Sequence, residues 1–355
     1  MNKQENKVRS SNFELLRIFA MLGIIASHFL GPVFDEIKAP GNTPLADFLL
    51  VQATFGKIGI SCFMLISGYF MCKQEFTIKK YIRILAQIYF YAIVIQLPLI
   101  IWGFIPNELS SWTHMIFPWT RISEDSFITD FLLFYLITPF IRILLTSISQ
   151  MLHLRLLIWM TVVYVLYSTT TSFDVLKDPL MWFFYLYVVS GYIRFYGFTF
   201  PSKRKYRFIE LLDSSCLVWG GYTLISVIIV AIVTLFSYNH GYPALRLTGH
   251  IGSLFGFAVS FSGFMMFRNM KVKYSKVINL LGGATFGVLL IHTNCNFVYD
   301  FIFCNIYDVP HILEYDTLTG ISVFCGGVVS CFVICSILEI IRKKYIEPLY
   351  MRFIS

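Results

Sequence analysis

Apolar residues run along this chain in long blocks, not in the alternation that half-buried strands show. The blocks lie at about 13–33, 49–71, 82–105, 128–148, 154–170, 179–198, 214–237, 249–267, 277–303 and 318–341. A bilayer's hydrocarbon core is crossed by a helix of about 20 apolar residues, whereas barrel strands need about 10 with alternating faces. The pattern therefore predicts an all-α, polytopic integral membrane protein of about ten transmembrane helices. The fifth block is short and the ninth long, and the ninth is expected as one continuous helix. Between blocks no stretch is long enough for a separate soluble domain. The expected layout is an N-terminal tail over 1–12, a membrane domain over 13–345 and a C-terminal tail over 346–355. The first block follows the basic stretch 3–9, as a signal peptide would, but it carries Arg17 and His28, lacks a small-residue cleavage site and leads into further spans. It reads as a retained helix.

Composition strengthens this picture. Of 355 residues, 57% are hydrophobic and 14% charged, with mean hydropathy +0.70. Soluble domains carry about 25% charged residues, and chains this apolar do not stay disordered. Net charge is +8, which in a soluble protein would point to nucleic acid. Its distribution points elsewhere. With a cytoplasmic N-terminus, 22 of the 28 Lys and Arg fall on the inner side, and only Lys38, Arg121, Lys177 and Arg246 fall outside. Arg17 and Lys57 lie in or at the edge of spans. This positive-inside bias predicts both termini in the cytoplasm and a multi-pass plasma-membrane protein, with the lipid bilayer as partner and no nucleic acid.

The eight cysteines show no CxxC pair and sit mostly in apolar runs, where they pack as small hydrophobes. On one helix Cys295 and Cys304 would be ~13 Å apart, too far to bridge. Neither a disulfide framework nor a metal site is expected. Ser67-Gly68-Tyr69 and Ser190-Gly191-Tyr192 recur near the ends of two spans, which reads as close helix packing around glycine.

Ionisable groups inside a bilayer are costly and mark candidate sites. The first block holds Glu14, Arg17 and His28. At about 100° per residue, Arg17 and His28 are only about 20° apart around the helix, and Glu14 shares their face. Along the axis they are ~16 Å apart, so they cannot hold one small group together. His292 lies about as deep in its own span, beside Asn294 and Asn296. The segment 106–127 crowds Trp112, His114, Phe117 and Trp119 with two prolines, which suits an interfacial belt or a sugar-stacking platform. Glu339 and Glu347 are acidic where acid is scarce.

These segments resemble the acyltransferase-3 family of membrane acyltransferases. Arg17, ten residues, then His28 is similar to the family's Arg-x10-His signature, and Phe13–Ala20 resembles its opening helix. Phe63–Phe70 resembles its F-x-x-x-S-G-Y helix. Thr285–His292 resembles its late S-F-G-x-Y-L-I-H element, with Thr285 in place of Ser and Leu289 in place of Tyr. Asp130–Pro139, containing Tyr135, resembles a fourth-helix segment, and Lys79, Lys80 and Arg83 resemble the basic element after the second helix.

The resemblance implies transfer of an acyl group, most often acetyl from acetyl-CoA, to a hydroxyl of an envelope glycan. It makes His28 catalytic and Arg17 its partner. A sugar hydroxyl needs a base, and neutral imidazole suits that task near pH 7; His28 could instead relay the acyl group covalently. Arg17, Lys79, Lys80 and Arg83 become expected contacts of the acyl-CoA phosphates. Trp112, Trp119, Tyr135, His292 and Asn294 become expected acceptor contacts. No permanently bound cofactor is expected, and partners would be a glycan or lipid-linked saccharide and glycan-synthesis proteins. Two other readings remain. One is a transporter or flippase lined by Arg17 and His28; the other is a different membrane acyltransferase class whose histidine sits in a late helix, which would favour His292.

Overall fold

A computed structural model describes residues 10–38, 43–117, 127–171, 179–201, 207–242 and 247–352, the side chains of 207–209 excepted. Every regular element among the described residues is helical. The principal helices are α1 (Ser11–Phe29), α2 (Pro44–Met71), α3 (Ile78–Ile101), α4 (Phe127–Ser147) and α5 (Gln150–Thr170). They continue as α6 (Pro179–Tyr196), α7 (Cys216–Asn239), α8 (Leu254–Asn269), α9 (Lys276–His292) and α10 (Thr317–Met351).

Each apolar block coincides with a helix, but the span count differs from expectation. Among the described residues, seven helices are long and apolar enough to cross a membrane: α1 to α5, α7 and α10. An eighth is added if α9 and the following Asn296–Glu314 form one broken span, bent by 105°. The expected ninth helix is therefore two pieces, and Cys295 and Cys304 do not share a straight helix. All eight cysteines are thiols. α6 and α8 fall short for physical reasons. α6 lies in the protein interior, with Trp182, Phe183, Tyr185, Tyr187 and Tyr192 all buried, so it is diluted with tyrosine where a lipid-facing helix would carry aliphatics. α8 has only 16 residues.

The outer helices show the opposite pattern. Phe140 and Ile143 of α4, Trp159 of α5, and Leu217, Leu224 and Ile232 of α7 are exposed. Such continuous apolar faces are at home against lipid. The protein is an integral membrane protein.

Glycines set how closely the central helices approach. A Cβ on Gly59 would stand 2.4 Å from the Ala20 carbonyl oxygen, and one on Gly56 would stand 2.4 Å from the Ser27 Cβ. α1 and α2 thus touch backbone to backbone, as small residues permit in membranes. At the other end of α2, a Cβ on Gly68 would stand 2.3 Å from the Ser190 Oγ. The two Ser-Gly-Tyr tripeptides are therefore partners in one helix crossing. The indole Nε1 of Trp182 donates to the Ser61 Oγ at 3.0 Å, tying α6 to α2.

Candidate active site

One cavity of about 1080 Å³ runs between α1, α2 and α9. Arg17, Met21, Ile24 and His28 line it from α1, a spacing of four, three and four that is one helix face. Lys57, Ile60, Phe63 and Ser67 line it from α2 with the same periodicity. α9 contributes Gly282, Gly283, Phe286 and Leu289, and Thr293 follows at its end. The ~16 Å that separate Arg17 from His28 along α1 are thus spanned by one continuous space.

At the Arg17 end, the guanidinium Nη1 donates to Glu14 Oε1 at 2.6 Å, one helical turn back. Glu14 is buried beside Gly282, where a Cβ would come within 2.6 Å of the Glu14 carboxylate. Only glycine leaves α9 room to pass this ion pair.

The other end holds two imidazoles. His28 Nδ1 lies 3.0 Å from His292 Nε2. His292 is fully buried behind it and reaches the Val288 carbonyl oxygen through Nδ1 at 2.7 Å. Tyr299, from the segment after the bend, donates its hydroxyl to the His28 carbonyl oxygen at 2.6 Å. His292 supports His28 and is not among the cavity-lining residues.

Lys57 lines the same cavity. In sequence it stood out only as a cation at a span's edge; its lysine inside an apolar block was the available signal. Tyr299 gave no such signal, because its role depends on the bend after His292.

The other expected contacts are distributed unevenly. Asn294 is buried away from the cavity lining, where its Nδ2 donates to the Tyr91 carbonyl oxygen at 3.2 Å and its Oδ1 accepts from Gln96 Nε2 at 3.1 Å. This clamp sits on a wide turn of α3, Ala92–Gln96. Such turns loosen the helical ladder and leave carbonyls for side chains. Tyr135 stacks on Tyr81, ring centres 6.0 Å apart, and does not line the cavity. Trp112 donates to Asn107 Oδ1 at 2.7 Å within its own segment, while its neighbours Ser111 and His114 do line the cavity. Trp119 lies outside the described residues. Lys79 and Lys80 are exposed, with Lys80 one turn before the cavity-lining Ile84.

Arg83 turns to a different partner. Its Nε donates to Glu347 Oε1 at 2.5 Å, joining a buried network at the end of α10. Glu347 Oε2 accepts from Arg342 Nη2 at 2.9 Å, and Arg342 Nε donates to Glu339 Oε2 at 2.8 Å. Glu339 also accepts from Gln87 Nε2 at 3.0 Å and from the Tyr91 hydroxyl at 2.6 Å. Lys343 donates to the Gly283 carbonyl oxygen, at the cavity's edge. Glu339 and Glu347 thus bind α10 to α3, beside α9. Among the described residues no group of three His, Cys, Asp or Glu is placed to hold a metal ion.

The arrangement sets a cation and an imidazole along one wall of a shared cavity. No curated protein and no solved structure matches the chain. A family model described as an acyltransferase domain matches residues 10–340, nearly the whole length. With Arg17 and His28 on one cavity wall inside an apolar helical bundle, this chain belongs to the acyltransferase-3 family and is a membrane acyltransferase.

Proposed function

We propose that this protein moves an acyl group, acetyl by preference, from cytoplasmic acyl-CoA to a hydroxyl of an exported glycan or lipid-linked saccharide. The supporting observation is that one cavity is lined by both Arg17 and His28. In this reading both termini face the cytoplasm and the Arg17 end is the donor side of the plasma membrane. Arg17, with Lys79 and Lys80 on the same side of the membrane in this reading, would attract the CoA phosphates, while the thioester arm extends along Met21, Ile24 and Phe63. The acceptor would enter at the His28 end, near Trp112 and His114.

His28 acts as the base. The acceptor oxygen bonds to the acyl carbon as its proton passes to His28. The carbon–sulfur bond breaks, and the proton moves on to the CoA sulfur, giving an ester and free CoA thiol. A base in this role contributes roughly 10²- to 10⁴-fold.

The test is transfer from labelled acetyl-CoA by protein in nanodiscs. His28→Ala should lose roughly 10²- to 10⁴-fold in rate while still inserting, and Arg17→Ala should raise the KM for acetyl-CoA. Wild-type glycan O-acetylation in the His28→Ala strain, measured by NMR, would refute the assignment. Glycan movement without any acyl transfer would favour a flippase.

A further inference from the structure

His292 makes two contacts, and together they determine where the protons sit on both imidazoles. Its Nδ1 faces the Val288 carbonyl oxygen at 2.7 Å. A carbonyl oxygen only accepts, so His292 Nδ1 carries the proton. In a neutral imidazole the other nitrogen is then an acceptor. That acceptor, His292 Nε2, lies 3.0 Å from His28 Nδ1. The donor between them is therefore His28 Nδ1, and His28 Nε2 keeps its lone pair.

The surroundings suit a neutral His292. It is fully buried, and the Phe303 ring stands edge-on to it at 6.4 Å. A cationic His292 would donate from both nitrogens and reverse the bond. His28 would then carry its proton on Nε2, and its remaining lone pair, on Nδ1, would be occupied by the bond from His292.

We infer that His292 is a positioning residue: anchored on the Val288 carbonyl, it holds His28 in the Nδ1–H form and leaves His28 Nε2 as the basic nitrogen. This rests on His28 being the base and specifies how it is kept ready. The same contact would act during turnover. As Nε2 takes the acceptor's proton, His28 becomes cationic, and its bond from Nδ1 to His292 becomes charge-assisted and stronger. The geometry has the logic of an oriented base held by a third group, with a neutral imidazole where other enzymes place a carboxylate.

Two substitutions and one spectrum test it. His292→Leu removes the acceptor, while His292→Gln retains an oxygen that can accept from His28 Nδ1. The Leu variant should lose on the order of 10²-fold or more in kcat, because a base in the wrong tautomer is nearly inactive. Its KM for acetyl-CoA should stay within about twofold, since that KM reports donor binding at the far end of the cavity. The Gln variant should recover most of the rate. In ¹⁵N-histidine-labelled protein, His28, assigned by its loss in His28→Ala, should show a protonated Nδ1 and an unprotonated Nε2.

Wild-type kcat in His292→Leu would overturn the inference. So would a protonated Nε2 on His28 in the unsubstituted protein, whatever the variants do and even if the Leu variant fails to fold. The reading of His28 as the base fails separately, if His28→Ala itself retains transfer.

Discussion

Replacing Glu339 with alanine tests what holds α10 beside the site. The carboxylate is fully buried and accepts from Gln87, Tyr91 and both Nε and Nη2 of Arg342, with Lys343 Nζ at 3.3 Å. Its removal leaves Arg342, only 2% exposed, with Glu347 as its carboxylate partner and deprives Gln87 and Tyr91 of an acceptor. Breaking a buried ion pair from one side costs about 3–5 kcal/mol, mainly by leaving the other charge poorly compensated. The orphaned hydrogen bonds fall within the same desolvation cost, so they are not added to it. Nor does α9 fill the vacated space, because its residue there is Gly287, whose absent Cβ would stand 2.3 Å from the Glu339 carboxyl carbon. Glu339→Ala should therefore lower the melting temperature in detergent by at least about 5 °C, read as loss of the monodisperse peak in a heating series by size-exclusion chromatography. Glu339→Gln, which keeps the shape and two hydrogen-bonding atoms, should fall between the alanine variant and the unsubstituted protein. Melting of the alanine variant indistinguishable from the unsubstituted protein would refute the reasoning, and apolar packing alone would then hold α10.

Two further outcomes follow from the same physical arguments. Gly59→Ala drives a Cβ into the backbone carbonyl of Ala20 and cannot be relieved by a side-chain rotation; overpacking of this kind costs about 1–3 kcal/mol. The matched control is Gly221→Ala on the exposed face of α7, where nothing lies within 4 Å; its stability should be unchanged or slightly raised, and equal losses for the two would contradict the packing argument. For topology, cysteines introduced at Lys80 and Ser110 should react with an impermeant maleimide from opposite faces of the membrane, Ser110→Cys in intact cells and Lys80→Cys only after permeabilisation. Labelling of both from one face would overturn the inside–outside map.

How much of this was legible beforehand depended on whether a feature is local. Arg17, Met21, Ile24 and His28 share a wall because of helix periodicity alone, so the face and the spacing could be read from the chain. For His28 and His292 the similar depth was legible but their adjacency was not, since it depends on α1 and α9 packing together across 264 positions, and only His28 lines the cavity. The break after His292 falls at the polar run Thr293, Asn294 and Asn296, but the long apolar stretches flanking it made the block look like one continuous helix. Arg83 looked available to acyl-CoA phosphates because its partner Glu347 is equally remote in sequence. Asn294 was polar in an apolar setting, which signals a role but does not distinguish a ligand contact from a helix clamp. The paired Ser-Gly-Tyr tripeptides were visible as a repeat, and only the fold shows that the two copies meet.

The bend after His292 has a consequence for how the site can move. Asn296, Phe297 and Tyr299 beyond it form part of the cavity wall, and Tyr299 is also tied to the backbone of His28. A Cβ on Gly31 would stand 1.9 Å from the Tyr299 hydroxyl, so the turn after α1 is shaped to seat that tyrosine. Moving this wall aside means breaking the Tyr299 contact with the His28 carbonyl at the end of α1. The wall beyond the bend and the end of α1 are therefore mechanically coupled, and a displacement of one is felt by the other.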